Sequence, residues 1–263
     1  VGNVSGKFGP VGLSVGGNYY RTDGISAFSE ARGGTEPDGF ESLGANAKLD
    51  IALGENFSID LRGFYADSEV EIDGFTATGL GDTNEVSYRE DLVGYAGINA
   101  NFLDGRLRNR LGIAYTRIDR SNFSFDTDSE TFDAFGENVR YEYQGVFDAA
   151  EIAELVFGAE REESEYLSSS FGAPAIGDKV WINSAYGQLN LTPYQGLSLT
   201  GGVRYDDHET YGNNTTFAAN GAYSPNGGDT VLRGSYGEGF KAPALFQLFS
   251  DFGNTALEPE ESE

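Results

Sequence analysis

Apolar and polar residues alternate with a period of two in long runs along almost the whole chain, which restricts it to β-structure with two unlike faces. Over 43–53, Leu43, Ala45, Ala47, Leu49, Ile51 and Leu53 fall on one side, against Gly44, Asn46, Lys48, Asp50 and Ala52. Over 57–66, Phe57, Ile59, Leu61, Gly63 and Tyr65 oppose Ser58, Asp60, Arg62, Phe64 and Ala66. The runs 89–102 and 197–206 repeat the pattern. Similar runs at about 11–22, 107–121, 135–147, 152–164, 180–192, 214–224 and 229–240 bring the expected count to about eleven strands. Each is longer than the usual five or six residues of a globular strand.

The connections carry a second regularity. Short polar turns at Gly54–Asn56, Asp104–Gly105, Asp148–Ala150, Pro193–Gly196 and Pro225–Gly228 alternate with longer acidic stretches at about 23–42, 72–87, 122–134, 165–178 and 207–213. A β-sandwich or solenoid has no reason to sort its connections by parity. A transmembrane barrel does, because all its turns lie on one side of the membrane and all its long loops on the other. Hydrocarbon requires every backbone group to be paired, so strands that span it close into a barrel. The expected fold is therefore all-β: an antiparallel transmembrane β-barrel with short periplasmic turns and long extracellular loops. The apolar faces are expected to meet outer-membrane lipid. The polar faces, with Arg62, Glu142, Gln144, Asn190 and Arg204, are expected to line a lumen. Tyr19, Tyr65, Tyr115, Tyr141, Tyr143 and Tyr205 fall where interfacial girdles are expected. An odd set of eleven strands has open edges, so the residues 1–263 are expected to form part of a larger barrel.

Composition excludes several other functions. The formal charge of −25, from 42 acidic and 17 basic residues, opposes binding to nucleic acid, whose phosphates demand a cationic surface. With one histidine and no cysteine, neither a Cys/His nucleophile pair nor a multi-histidine metal centre can be built. His208 reads as a solvated side chain at an extracellular strand end. The carboxylate runs at 160–163 and 258–261 read as loop edges rather than as acid–base pairs in an apolar pocket. No catalytic residues emerge, and the chain is expected not to be an enzyme.

Residues 237–262 carry the most specific signal: Gly237, Phe240, Lys241, Ala242, Pro243, Leu245, Gln247 and Leu248, then Gly253, Asn254, Leu257, Pro259, Glu260 and Ser262. This spacing strongly resembles the mid-barrel signature of TonB-dependent receptors. Thr255 stands where that signature usually has proline, and Phe249 where it often has tyrosine. The resemblance extends at lower identity along essentially the whole chain. It is greatest to the vitamin B12 (cobalamin) receptor type, through Tyr20–Gly24, Glu36–Phe40, Asp73–Phe75 and Asp82–Thr83.

The resemblance implies about 22 strands in the whole barrel, of which 11–12 fall here, and an N-terminal plug that lies outside this sequence. It implies the outer membrane of a Gram-negative bacterium, capture of a scarce nutrient at the extracellular loops, and import driven by TonB and the inner-membrane proton-motive complex. A corrinoid is the leading expectation for the nutrient, with ferric siderophores and oligosaccharides as alternatives. A passive porin would share the alternation but lack the 240–243 and 253–262 blocks. The resemblance also implies structural Ca²⁺ in the loops, held by Asp23, Glu36, Asp38, Asp73 and Asp82. Clustered carboxylates suit that ion, which takes six to eight hard oxygen ligands.

Overall fold

A computed structural model describes residues 1–263 apart from Ala27, Glu36 and Thr78 and the side chain of Glu30. The chain runs β1 (Gly2–Phe8), β2 (Val11–Thr22), a single 3₁₀ turn (Glu30–Arg32), β3 (Phe40–Ala52) and β4 (Phe57–Ile72). A small hairpin, β5 (Phe75–Thr76) and β6 (Gly79–Leu80), precedes β7 (Glu85–Phe102), β8 (Leu107–Ser124) and β9 (Ser129–Ala150). Then come β10 (Ala153–Ser170), β11 (Ile176–Tyr194), β12 (Leu197–His208), β13 (Gly212–Tyr223) and β14 (Leu232–Gly237). The last residues form β15 (Gly239–Lys241), helix α1 (Leu245–Phe249) and β16 (Glu260–Ser262).

Twelve strands make one sheet in the order β1-β2-β3-β4-β7-β8-β9-β10-β11-β12-β13-β14, and every pairing joins sequence neighbours antiparallel. Among the described residues β1 and β14 are paired on one side only. The expected architecture is thus present as an open arc of barrel wall. The strand count is twelve, within the 11–12 expected; the strand that alternation alone does not reveal is the short β1.

Three of the expected long loops are corrected. The stretch 122–134 shrinks to a turn at 125–128, 165–178 to 171–175, and 207–213 to 209–211. The reason is that hydrophobic alternation stops where a strand leaves lipid, while backbone pairing continues. Beyond that level polar and isolated apolar residues mix on both faces, so the strand carries no periodic signature. Loops 23–39 and 73–84 remain long.

The ladder register assigns the two faces. Asp60 on β4 bonds Arg110 on β8 at 3.2 Å, over the intervening β7. Likewise Arg108 on β8 reaches Glu154 on β10 at 2.9 Å, and Arg204 on β12 reaches Glu160 on β10 at 3.1 Å. Side chains converge like this only on the concave side of a curved sheet, so this polar face is the lumen. Ion pairs on the opposite face join only neighbours: Arg117 with Asp119 at 2.7 Å, Arg161 with Glu163 at 2.7 Å, and Lys179 with Glu165 at 2.6 Å.

The convex face is banded. Its charged pairs lie on the loop side of Tyr65, Tyr115, Tyr141 and Tyr205, and Phe57, Phe102, Tyr194 and Tyr223 mark the opposite limit. Phe57 and Phe102 meet edge-on at 5.9 Å, and Tyr194 and Tyr223 at 6.2 Å. Between the rows, Leu61, Ile98, Leu111, Ile113, Leu189, Leu199 and Phe217 are all exposed. The eight steps from Phe57 to Tyr65 span about 26 Å of strand, the right order for a tilted crossing of an apolar band of ~25 Å. Among the described residues only Val86 and Leu248 are buried hydrophobics. A water-soluble domain of this size would bury a core; this wall instead turns its apolar side outward.

Candidate functional site: the loop mouth and the lumenal wall

The two long loops are clasped to each other by two of the expected calcium ligands. Asp73 Oδ2 accepts the Phe28 N–H at 2.6 Å and the Ser26 hydroxyl at 3.1 Å, while Oδ1 accepts the Thr83 N–H at 3.2 Å. Asp82 Oδ2 accepts the Thr35 N–H at 3.0 Å and its hydroxyl at 2.6 Å. Each carboxylate from 73–84 therefore fixes backbone of 23–39. Asp82 Oδ1 is buried without a hydrogen-bond partner. A buried carboxylate oxygen left bare is costly.

Asp23 and Asp38 lie on the other side of the same mouth. Gly24 takes φ +67, and a Cβ there would sit 1.7 Å from the Asp38 carbonyl oxygen, so only glycine allows the two segments to meet. Asp23, Glu41, Glu69 and Glu71 line one concavity of about 260 Å³ with Arg21 as its only basic side chain. Glu71 Oε2 accepts the Gly39 N–H at 2.7 Å. Sequence reasoning missed Glu41, Glu69 and Glu71. Their signal was present in the charged continuation of β3 and β4 past the apolar band. Glu36 lies outside the described residues. Among the described residues no group of three or more carboxylates and histidines is arranged to hold a metal ion.

Below the mouth the lumenal wall is cross-linked. Asp60, 5% exposed, holds Arg62 at 3.1 Å, Arg110 at 3.2 Å and the Asn99 amide at 3.0 Å. Arg110 Nε donates to the Tyr95 hydroxyl at 2.7 Å, which donates to Glu142 at 3.0 Å. The Tyr95 ring lies between two guanidinium groups, with Arg62 at 5.5 Å and Arg110 at 4.9 Å from its centroid. Such a connected network holds a polar wall rigid beside water.

The signature segment packs inside that wall. β15 pairs with β16, so Phe240 meets Glu261 and Lys241 meets Glu260. Between them α1 lies over β10 and β11, with Phe246 edge-on to Tyr166 at 5.9 Å. The Tyr211 hydroxyl donates to the Leu257 carbonyl at 3.1 Å. A Cβ on Gly253 would meet the Leu248 carbonyl oxygen at 2.5 Å, which explains the glycine of the 253–262 block. A cavity of about 440 Å³ remains between this segment and the inner faces of β8 to β12.

Two expectations are corrected here. His208 is not a solvated loop side chain but 7% exposed, and it lines this cavity. Glu162 is not a loop-edge acid, for it sits in mid-strand and lines the same cavity.

Comparison with known proteins gives three consistent findings. The family model described as TonB dependent receptor-like, beta-barrel matches residues 2–263. The vitamin B12 transporter BtuB of Photobacterium profundum is 26% identical over 272 residues, covering 99% of this chain and 41% of that protein. Among solved structures, a mutant of the ferric enterobactin receptor PfeA from Pseudomonas aeruginosa superposes with TM-score 0.74 at 15% identity, covering 94% of this chain and 41% of that one. The siderophore receptor PirA from Acinetobacter baumannii gives 0.72 at 17% identity, with 93% and 40% covered. The chain thus spans about two fifths of the length of these three proteins.

Proposed function

This chain belongs to the TonB-dependent receptor-like β-barrel family, and from that premise we propose that residues 1–263 form part of the barrel wall of an outer-membrane receptor importing a corrinoid. The family is one of outer-membrane transporters rather than enzymes. Capture takes place at the loop mouth, and passage through the lumen is powered through TonB by the inner-membrane proton-motive complex acting on a plug outside this sequence. Membrane lipid is the partner of the convex face.

The observation that carries the corrinoid reading is the likeness to a vitamin B12 transporter along 99% of the chain. The likeness to siderophore receptors is one of fold, at 15% and 17% identity.

Calcium belongs to the same proposal. Asp82, through its bare Oδ1, would be the first ligand of the ion, and Asp23, Glu36, Asp38 and Asp73 are the carboxylates that the loops would have to bring toward it on binding. Bound there, Ca²⁺ would neutralise mutually repelling carboxylates and lock the two loops in the receptive arrangement. Asp73 and Asp82 already tie 73–84 to 23–39 by hydrogen bonds, so the ion would add stiffness to a clasp built by the chain itself.

Titration of vitamin B12 and of ferric siderophores into the purified full-length receptor tests both parts. Vitamin B12 is expected to bind, and a calcium chelator is expected to weaken it at least tenfold. Asp82→Asn is expected to reproduce most of that loss. Binding of a siderophore in place of vitamin B12 would remove the corrinoid assignment. Indifference to chelator would remove the calcium site.

A further inference from the structure

The lumenal face is not uniform around the arc. Across the middle of the wall, from β4 to β12, its charges are spent on one another. Asp60 joins Arg62 and Arg110, Arg108 joins Asp148 and Glu154, Arg140 joins Glu142 at 3.5 Å, and Arg204 joins Glu160 and Asp206. The amides among them are engaged too. Gln144 donates to the Tyr186 hydroxyl at 3.1 Å, and Asn190 donates to Glu154 at 3.0 Å. This sector is also low in relief. A Cβ on Gly112 or Gly158 would collide with the hydroxyl of Tyr95 or Tyr186, so both rings lie back against the sheet instead of standing into the lumen.

The sector from β1 to β3 is of another kind. By ladder register Asn3, Ser5, Ser14, Asn18 and Asn46 share the face of Asp60. Among the described residues the one hydrogen bond made by these side chains runs from Asn3 to Ser14, at 3.3 Å. Each remaining amide offers two donors and an acceptor, so this sector keeps bonding capacity for another surface. A solute crosses a lumen quickly only where the wall holds it weakly enough to let it leave. The β4–β12 wall has spent its hydrogen bonds internally and holds its rings flat; the β1–β3 wall has done neither. We propose that the transported molecule passes along the β4–β12 sector, and that the amide-rich β1–β3 sector grips the plug that fills the rest of the lumen. The inference rests on the transport reading given above.

Thiols report which sector opens. Gln144→Cys and Gln188→Cys place one on the passage wall, and Ser14→Cys and Asn46→Cys on the other, each in cells making the full-length receptor with any native cysteine elsewhere replaced. Heat-modifiable migration on gels checks that every variant folds. A membrane-impermeant maleimide is added together with vitamin B12, with and without a proton uncoupler. Energised cells are expected to label 144 and 188 about tenfold faster than uncoupled cells and to change 14 and 46 by less than about twofold, since a thiol reacts as it is reached. A bulky maleimide adduct at 144 is then expected to stop uptake while vitamin B12 still binds at the mouth. Faster labelling at 14 and 46 instead, an equal rise at all four positions, or a rise at none would overturn the route, while continued uptake of vitamin B12 leaves the transport reading standing. Failure of the unaltered receptor to take up vitamin B12 in energised cells would remove that reading, and the route with it.

Discussion

Leu189→Arg in the full-length receptor is expected to lower the stability of the folded barrel by about 2–4 kcal/mol, while Gln188→Arg, one residue away, is expected to change it by less than about 0.5 kcal/mol. Leu189 is exposed on the convex face, paired with Leu155 on one side and Gly201 on the other, inside the apolar band. Arginine there would have to lie in hydrocarbon. Gln188 faces the lumen, where its amide donates to Asn190 at 2.9 Å and where Arg108, Arg110 and Arg204 already stand. Equilibrium unfolding in lipid vesicles measures both. Equal penalties at the two positions would contradict the assigned sidedness.

A polypeptide limited to these 263 residues is expected not to form a stable membrane-inserted barrel at all. Its sheet has two free edges, at β1 and β14, and each exposes a row of backbone donors and acceptors. In hydrocarbon each unpaired group costs several kcal/mol, far more than the fold can offset. The isolated polypeptide is therefore expected to aggregate, and to run at the same position on a gel whether heated or not. Heat-modifiable migration by the isolated polypeptide would contradict this.

The parts of this fold that could be read from sequence are those where lipid imposes a pattern. Leu43 to Leu53 and Phe57 to Tyr65 alternate because one side meets hydrocarbon and the other water, and their strands fall where expected. Legibility ends at the membrane boundary. At 122–124 and 129–134 polar residues and isolated phenylalanines mix on both faces, and continuing strand reads as loop.

The candidate site shows the same division. Asp73 and Asp82 are singled out by the family resemblance alone, and nothing in their spacing foretells that they grip Phe28 and Thr35 across two loops. Glu71 was hidden as the last acid of a strand, and its bond to Gly39 exists only in three dimensions. His208 misled because its neighbours Asp206, Asp207 and Glu209 suggest solvent. The signature segment, about forty residues on, folds back to bury it, and no local pattern encodes a contact of that range.

The central claim is that each strand separates lipid from lumen residue by residue, and the chain's lack of cysteine makes a direct measurement simple. Single cysteines placed in turn at 184 to 191 along β11 of the full-length receptor, with any native cysteine elsewhere replaced, would be probed in vesicles. A membrane-impermeant maleimide reports access to water, and a nitroxide-bearing lipid that quenches an attached fluorophore reports contact with hydrocarbon. The account predicts strict alternation, with positions 185, 187, 189 and 191 reached by lipid and 184, 186, 188 and 190 reached from the aqueous lumen. Uniform access of the maleimide to all eight positions would contradict it.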